Sequence, residues 1–222
     1  MSVLEVAAGG GALSIPAARM GARVLATDTS PTMLELFCER AEADGLAHIR
    51  TEAMDGTSLE LDDDTFDRVC SEFGVMFFPE AGLSEMHRVM APGGKAIVVI
   101  WGYPDDVPLS LYRVAIERAL GAGALKPEVP LIRDPAGPEP ALRAAGFDLV
   151  ELFSHTGPLP ATSGEDLWAW MSGASPGYAA FVAGLPDDQR ARVRMALLEA
   201  TRERYGPSFE SLPMEMICAI AS

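Results

Sequence analysis

Near its start the chain reads Glu5-Val6-Ala7-Ala8-Gly9-Gly10-Gly11, a carboxylate followed by three consecutive glycines. Glycines let a backbone turn tightly and come close to a ligand. A helix that follows such a turn offers unpaired N–H groups and a positive dipole end to an anionic group. Asp28 closes the next apolar run, about 20 residues on, where an acid accepts hydrogen bonds from ribose hydroxyls. A third strand-like run leads into Met54-Asp55-Gly56, which adds a second acid. Residues of these types at this spacing suit recognition of a nucleoside.

The elements that must hold these residues alternate. Strand-like runs fall at Val3–Val6, Arg23–Ala26, Ile49–Ala53, Phe66–Ser71 and Lys95–Trp101, with helix-like segments between them. That alternation implies a parallel sheet with crossover helices. Ser30 is placed to cap a helix, Pro31 suits its first position, and Met33, Leu34, Phe37 and Ala41 form its apolar stripe. A helix from about Glu80 to Met90 precedes a turn at Pro92-Gly93-Gly94. After Trp101 the chain becomes rich in proline and glycine around 121–140. A helix then ends at Gly146, and a strand is expected over Phe147–Phe153. Residues 163–204 read as largely helical, with Ser163 and Asp166 resembling a capping box, and Met214–Ala221 reads as a last strand.

Composition sets outer limits. With 222 residues, 49% hydrophobic and 22% charged, the chain can build a substantial core. A formal charge of −15 disfavours nucleic-acid backbones and anionic membranes. Ala96–Trp101 is an apolar run far shorter than the ~20 residues of a membrane helix. The first cation is Arg19, so no basic segment leads the apolar residues as in a signal peptide. Cys38, Cys70 and Cys218 are odd in number and widely spaced, which suggests small buried hydrophobes rather than disulfides or a metal knuckle. The default location is cytoplasmic, and no metal is expected.

Two cofactor classes fit the glycine turn. A dinucleotide site wants G-x-G-x-x-G/A, whereas this chain gives Gly9-x-Gly11-x-x-Ser14. The other class is S-adenosylmethionine, and further motifs favour it. Thr27-Asp28-Thr29-Ser30, Met54-Asp55-Gly56, Asp63-Asp64-Thr65-Phe66-Asp67, Ser71-Glu72-Phe73, and Glu85-Met86-His87-Arg88-Val89 with Pro92-Gly93-Gly94-Lys95 follow in order. In this the chain resembles the class I S-adenosylmethionine-dependent methyltransferases. Within them it is similar to the ubiquinone/menaquinone-biosynthesis-type (methyltransferase type 11/25-like) group. The likeness is strong over 3–101 and looser beyond, and Ala7 stands where the family has its first glycine.

The resemblance implies a Rossmann-like, doubly wound α/β fold. Its sheet would have seven strands, mostly parallel, with an antiparallel last strand and a helical insertion over about 156–212. One methyltransferase domain would span 1–222, divided into a cofactor half (1–101) and a substrate half (102–222). S-adenosyl-L-methionine would be bound by Glu5, Ala7, Ala8, Gly9, Gly11, Asp28, Thr29, Met33, Met54, Asp55, Gly56, Ser71, Glu72 and Phe73, and would leave as S-adenosyl-L-homocysteine. Trp101, Trp168 and Trp170 are candidates for the substrate pocket, and His155 for a general base. The expected partner is a small-molecule acceptor, with neither nucleic acid nor membrane. Relatives carry covering helices ahead of the first strand. Here Met1 leads at once into Val3, so the expected cover is the insertion, a second subunit in a homodimer, or sequence beyond the start. The alternatives are a cofactor-binding protein without catalysis and a nicotinamide-dependent oxidoreductase.

Overall fold

The computed structural model describes residues 1–46, 48–102, 108–124, 137–174 and 176–222. It begins with β1 (Ser2–Val6), α1 (Ser14–Arg19), β2 (Arg23–Asp28), α2 (Pro31–Ala43) and β3 (Arg50–Ala53). β4 (Phe66–Glu72), a 3₁₀ turn at Val75–Phe77, α3 (Pro79–Val89), β5 (Met90–Trp101) and α4 (Leu109–Leu120) follow. The remainder holds α5 (Glu139–Ala144), β6 (Val150–Leu159), α6 (Gly164–Ala174), α7 (Pro176–Ala183), α8 (Asp187–Tyr205) and β7 (Leu212–Ala221). Seven strands make one sheet in the order β3-β2-β1-β4-β5-β7-β6. The first five are parallel, and β7 runs antiparallel to β5, with Ala96 opposite Ala221 and Trp101 opposite Met216.

Side chains alternate across a strand, and the central strands of this sheet bury both faces. Leu4, Val6 and Leu25 join Val69, Leu83, Met86, Val98 and Ile100 in one core cluster. Val3, Val24 and Ala26 join Ile15, Phe37 and Ala41 in the other. Burial on both faces is why these strands read as apolar runs rather than as apolar–polar alternation. The expected doubly wound fold with an antiparallel last strand is the one observed.

Several boundaries differ from expectation. β5 starts at Met90, and Pro92-Gly93-Gly94 bulges out of it. Phe66 pairs with Met90 and Arg68 with Lys95, and Gly93 takes φ +78°. β6 begins three residues later than expected because the Phe147 N–H still closes the end of α5 on the Leu142 carbonyl at 3.2 Å, with Phe147 sunk in the core. The long helical stretch is three helices. Ser30 caps α2 through Met33 N–H at 3.4 Å, as expected. Of the cysteines only Cys70 is buried; Cys38 is exposed, with its sulfur 3.5 Å from the Thr51 hydroxyl, and Cys218 is intermediate.

Close packing divides the chain into two units. One comprises Met1–Trp101, Val129–His155 and Met216–Ser222. The other comprises Gly102–Glu128 and Thr156–Glu215, so α4 joins the helices of the insertion. Within that unit α4 packs along α8, tied by Arg118–Glu203 at 2.8 Å, and Arg194 of α8 pairs with Glu165 of α6 at 2.5 Å. No described helix is long and apolar enough to cross a membrane.

Candidate active site

At the carboxyl ends of the parallel strands, the chain leaves each strand in a tight turn. After β1, Ala7, Gly9 and Gly11 all adopt positive φ (+55°, +52° and +81°). The turn is locked by Ala8 N–H to Thr27 O (2.9 Å) and Gly11 N–H to Ala8 O (2.9 Å). Gly11 has no room for a side chain, because a Cβ there would lie 2.4 Å from the Phe37 ring.

Asp28 ends β2 with both carboxylate oxygens held by backbone. Oδ2 accepts from Gly9 N–H and Oδ1 from Ser30 N–H, each at 2.8 Å. The acid is therefore aimed before any ligand arrives. β3 ends beside it, with Met54 N–H donating to Asp28 O at 3.2 Å. Asp55 accepts from the N–H and hydroxyl of Thr57 at 2.8 and 2.7 Å, both on Oδ1, which holds its carboxyl below the usual range.

A cavity of about 120 Å³ opens between these strand ends, lined by Ala7, Asp28, Thr29, Met54, Asp55, Gly56 and Phe78. All of these but Phe78 are among the residues singled out from the sequence. Phe78 is wedged against two glycines, since a Cβ on Gly56 would lie 2.7 Å from its ring and one on Gly82 would lie 2.5 Å away. A pair of distant glycines facing one aromatic leaves no periodic trace in the sequence.

Other expected site residues do not line this cavity. Glu5 is 1% exposed and accepts from Ser14 N–H at 2.9 Å, so it caps α1. Burial is the main cause that pushes Glu5 up to about 7; the Ser14 bonds oppose it and Glu72 adds to it. Met33 brings its methyl to 3.5 Å from where a Gly9 Cβ would be. Ser71 is buried and its hydroxyl accepts from Val75 N–H at 3.0 Å. Burial also raises Glu72. Phe73, at φ +58°, stacks on Trp101 with centroids 3.6 Å apart and planes 11° from parallel.

Three expectations are not gathered there. His155 is exposed on β6 and lines no part of the cavity. Trp168 and Trp170 belong to the helical unit, where Trp168 stacks on the fully buried Tyr112 at 5.9 Å.

The glycine turn, the paired acids and the strand order together match a known pattern. Residues 3–94 match the methyltransferase domain family model. The chain belongs to the class I S-adenosylmethionine-dependent methyltransferases. It is 33% identical over 165 residues to a demethylmenaquinone methyltransferase of Clavibacter sepedonicus, covering 67% of this chain and 66% of that one. An uncharacterised protein of Mycobacterium tuberculosis is 43% identical over 101 residues, 45% of this chain and 36% of that one. This family member thus spans about a third of the length of that relative. In fold it is similar to a solved methyltransferase-like protein of Bacillus halodurans, with a TM-score of 0.64 and 20% identity over 99% of this chain and 91% of that one.

The residues present fit the family's methyl donor. Asp28, fixed at both oxygens, would offer its carboxylate to ribose hydroxyls. Asp55 keeps an oxygen that accepts no hydrogen bond among the described residues.

Proposed function

We propose that this chain moves the methyl group of S-adenosylmethionine to a nucleophilic atom of a small molecule by in-line displacement. The bound donor supplies an electrophilic methyl on a sulfonium, so the protein's task is chiefly to position the partners, which is worth ~7–11 kcal/mol of barrier. In this reading Asp28 holds the ribose and Asp55 the adenine amino group. Ala7, Ala8, Gly9 and Gly11 pass the methionine portion along the backbone, while Glu5 and Ser71 support the turn and the end of β4. Thr29, Met33, Met54, Gly56 and Phe78 surround the base and sugar. Glu72 and the Phe73–Trp101 stack border the acceptor side. The cavity lining includes no histidine, and the reading gives His155 no step. The acceptor is a small molecule rather than a nucleic acid, in keeping with the charge of −15, and the reaction takes place in the cytoplasm, in keeping with three unbridged cysteines.

The observation that carries the proposal is the Asp28 carboxylate, set at both oxygens by the turn after β1 and the cap of α2. Titration calorimetry with S-adenosylmethionine and S-adenosylhomocysteine tests it. Binding by the parent protein, and a loss of tenfold or more in Asp28→Ala, is the expected result; each hydrogen bond to a charged group contributes ~1.5–3 kcal/mol. Absence of heat at millimolar ligand would remove the cofactor from the reading.

A further inference from the structure

β6 is the last strand of the sheet, with β7 on one side and, among the described residues, no strand on the other. Its residues 151–156 are exposed in an unbroken run, so the strand shows solvent both faces as well as its edge. Ordinary edge strands avoid self-association by being short, charged, bulged or covered. β6 is ten residues long, contains no lysine, and its one proline, Pro158, falls near its end. Three large exposed apolar side chains collect there: Leu149 (69% exposed), Leu152 (41%) and Phe153 (51%).

Charge argues for a particular occupant. The chain as a whole is strongly acidic, yet residues 150–159 carry only Glu151 and His155, two positions either side of Phe153. If the strand meets itself antiparallel about Phe153, Phe153 faces its own copy, and Glu151 of each chain stands opposite His155 of the other. Leu152 then falls opposite Ser154, and Val150 opposite Thr156. An aromatic pair directly across a ladder stabilises it, an imidazole N–H of His155 can donate to the Glu151 carboxylate facing it, and a two-fold axis makes the contact closed and self-complementary.

We propose that β6 pairs edge to edge with β6 of a second copy of this chain, joining two seven-stranded sheets into one. This assigns His155 to an interface rather than to proton transfer, and it is independent of the methyl-transfer reading.

Sedimentation equilibrium of the full chain at tens of micromolar tests the proposal. The parent should weigh twice its chain mass. Phe153→Lys, which sets two cations opposite one another, should sediment as a monomer with unchanged circular dichroism and unchanged S-adenosylhomocysteine binding. Glu151→Lys should weaken the dimer at least tenfold, and Glu151→Lys combined with His155→Glu should restore it. A monomeric parent, or a dimer that survives Phe153→Lys, would overturn the proposal. If Phe153→Lys unfolds, the Glu151/His155 exchange decides alone, and failure of the double variant to recover association counts against it.

Discussion

A Cβ placed on Gly74 would lie 2.4 Å from the Ala7 methyl. Ala7 follows β1 and Gly74 follows β4, so the two turns meet at a single methyl group. Ala7 holds that methyl in the left-handed region, at φ +55°, a conformation that costs a non-glycine residue on the order of 1 kcal/mol or more. Gly74→Ala is expected to destabilise the protein by ~2 kcal/mol through overpacking. Ala7→Gly should be neutral or stabilising by up to ~1 kcal/mol, and the double variant should recover part of the Gly74→Ala loss. Urea midpoints for the four proteins measure the coupling; strict additivity would show that the two turns do not press on each other.

Glu5 gives a pH dependence of stability. Its folded pKa of about 7 lies above the ordinary 4.5 because burial penalises its charge. The folded state therefore binds a proton that the unfolded state releases first. The stability this proton confers is present below pH 4.5 and is lost as pH rises to about 7, a difference of about 3 kcal/mol. Glu5→Gln keeps an oxygen for Ser14 N–H and has no charge to bury. Its unfolding free energy should stay flatter over that window and exceed the parent's above pH 7; parallel pH profiles for the two proteins would refute the assignment.

Phe78 is held in the cavity wall by Gly56, which shares that wall, and by Gly82, which does not line the cavity. Gly82→Ala adds a better helix former to α3, but its methyl would press on the Phe78 ring. S-adenosylhomocysteine affinity should fall several-fold in Gly82→Ala and at least as far in Phe78→Ala. Unchanged affinity in both would take Phe78 out of the site.

Arg88 fastens α3 to the segment before β4. It donates to the carbonyls of Leu59 and Leu61 at 2.9 and 2.8 Å and to Glu85 and Asp63 at 2.6–2.8 Å, while Glu85 accepts from Leu59 N–H at 2.7 Å. A lysine has one ammonium and cannot serve these directions together. With the side chain 31% exposed, Arg88→Lys should cost about 1 kcal/mol in thermal unfolding and leave ligand affinity within twofold.

The legible parts of the site share a cause. Asp28, Asp55 and the glycines stand at strand ends, where a run of buried residues stops and a turn residue begins, so position along the chain reveals position in space. Phe78 was hidden because its seat is built by Gly56 and Gly82, which look like any turn glycine and any helix glycine. α4 gave no sign that it packs with the insertion, because α8 meets it from some 70 residues away or more and the pairing rests on side-chain fit rather than on periodicity. β6 was placed early because Phe147 is apolar, but that side chain plugs the core beneath α5 instead of extending the strand.

Six of the seven residues around the cavity come from the ends of β1, β2 and β3 or the turns just beyond, where the ladder register fixes their spacing. No helix contributes its middle. The outward faces of α1, α2 and α3 can therefore be rewritten by drift or by design, for solubility or for thermal tolerance, while the ligand continues to meet the same surface. Insertions belong in those crossovers, and a change of ligand must be sought in a handful of strand-end positions.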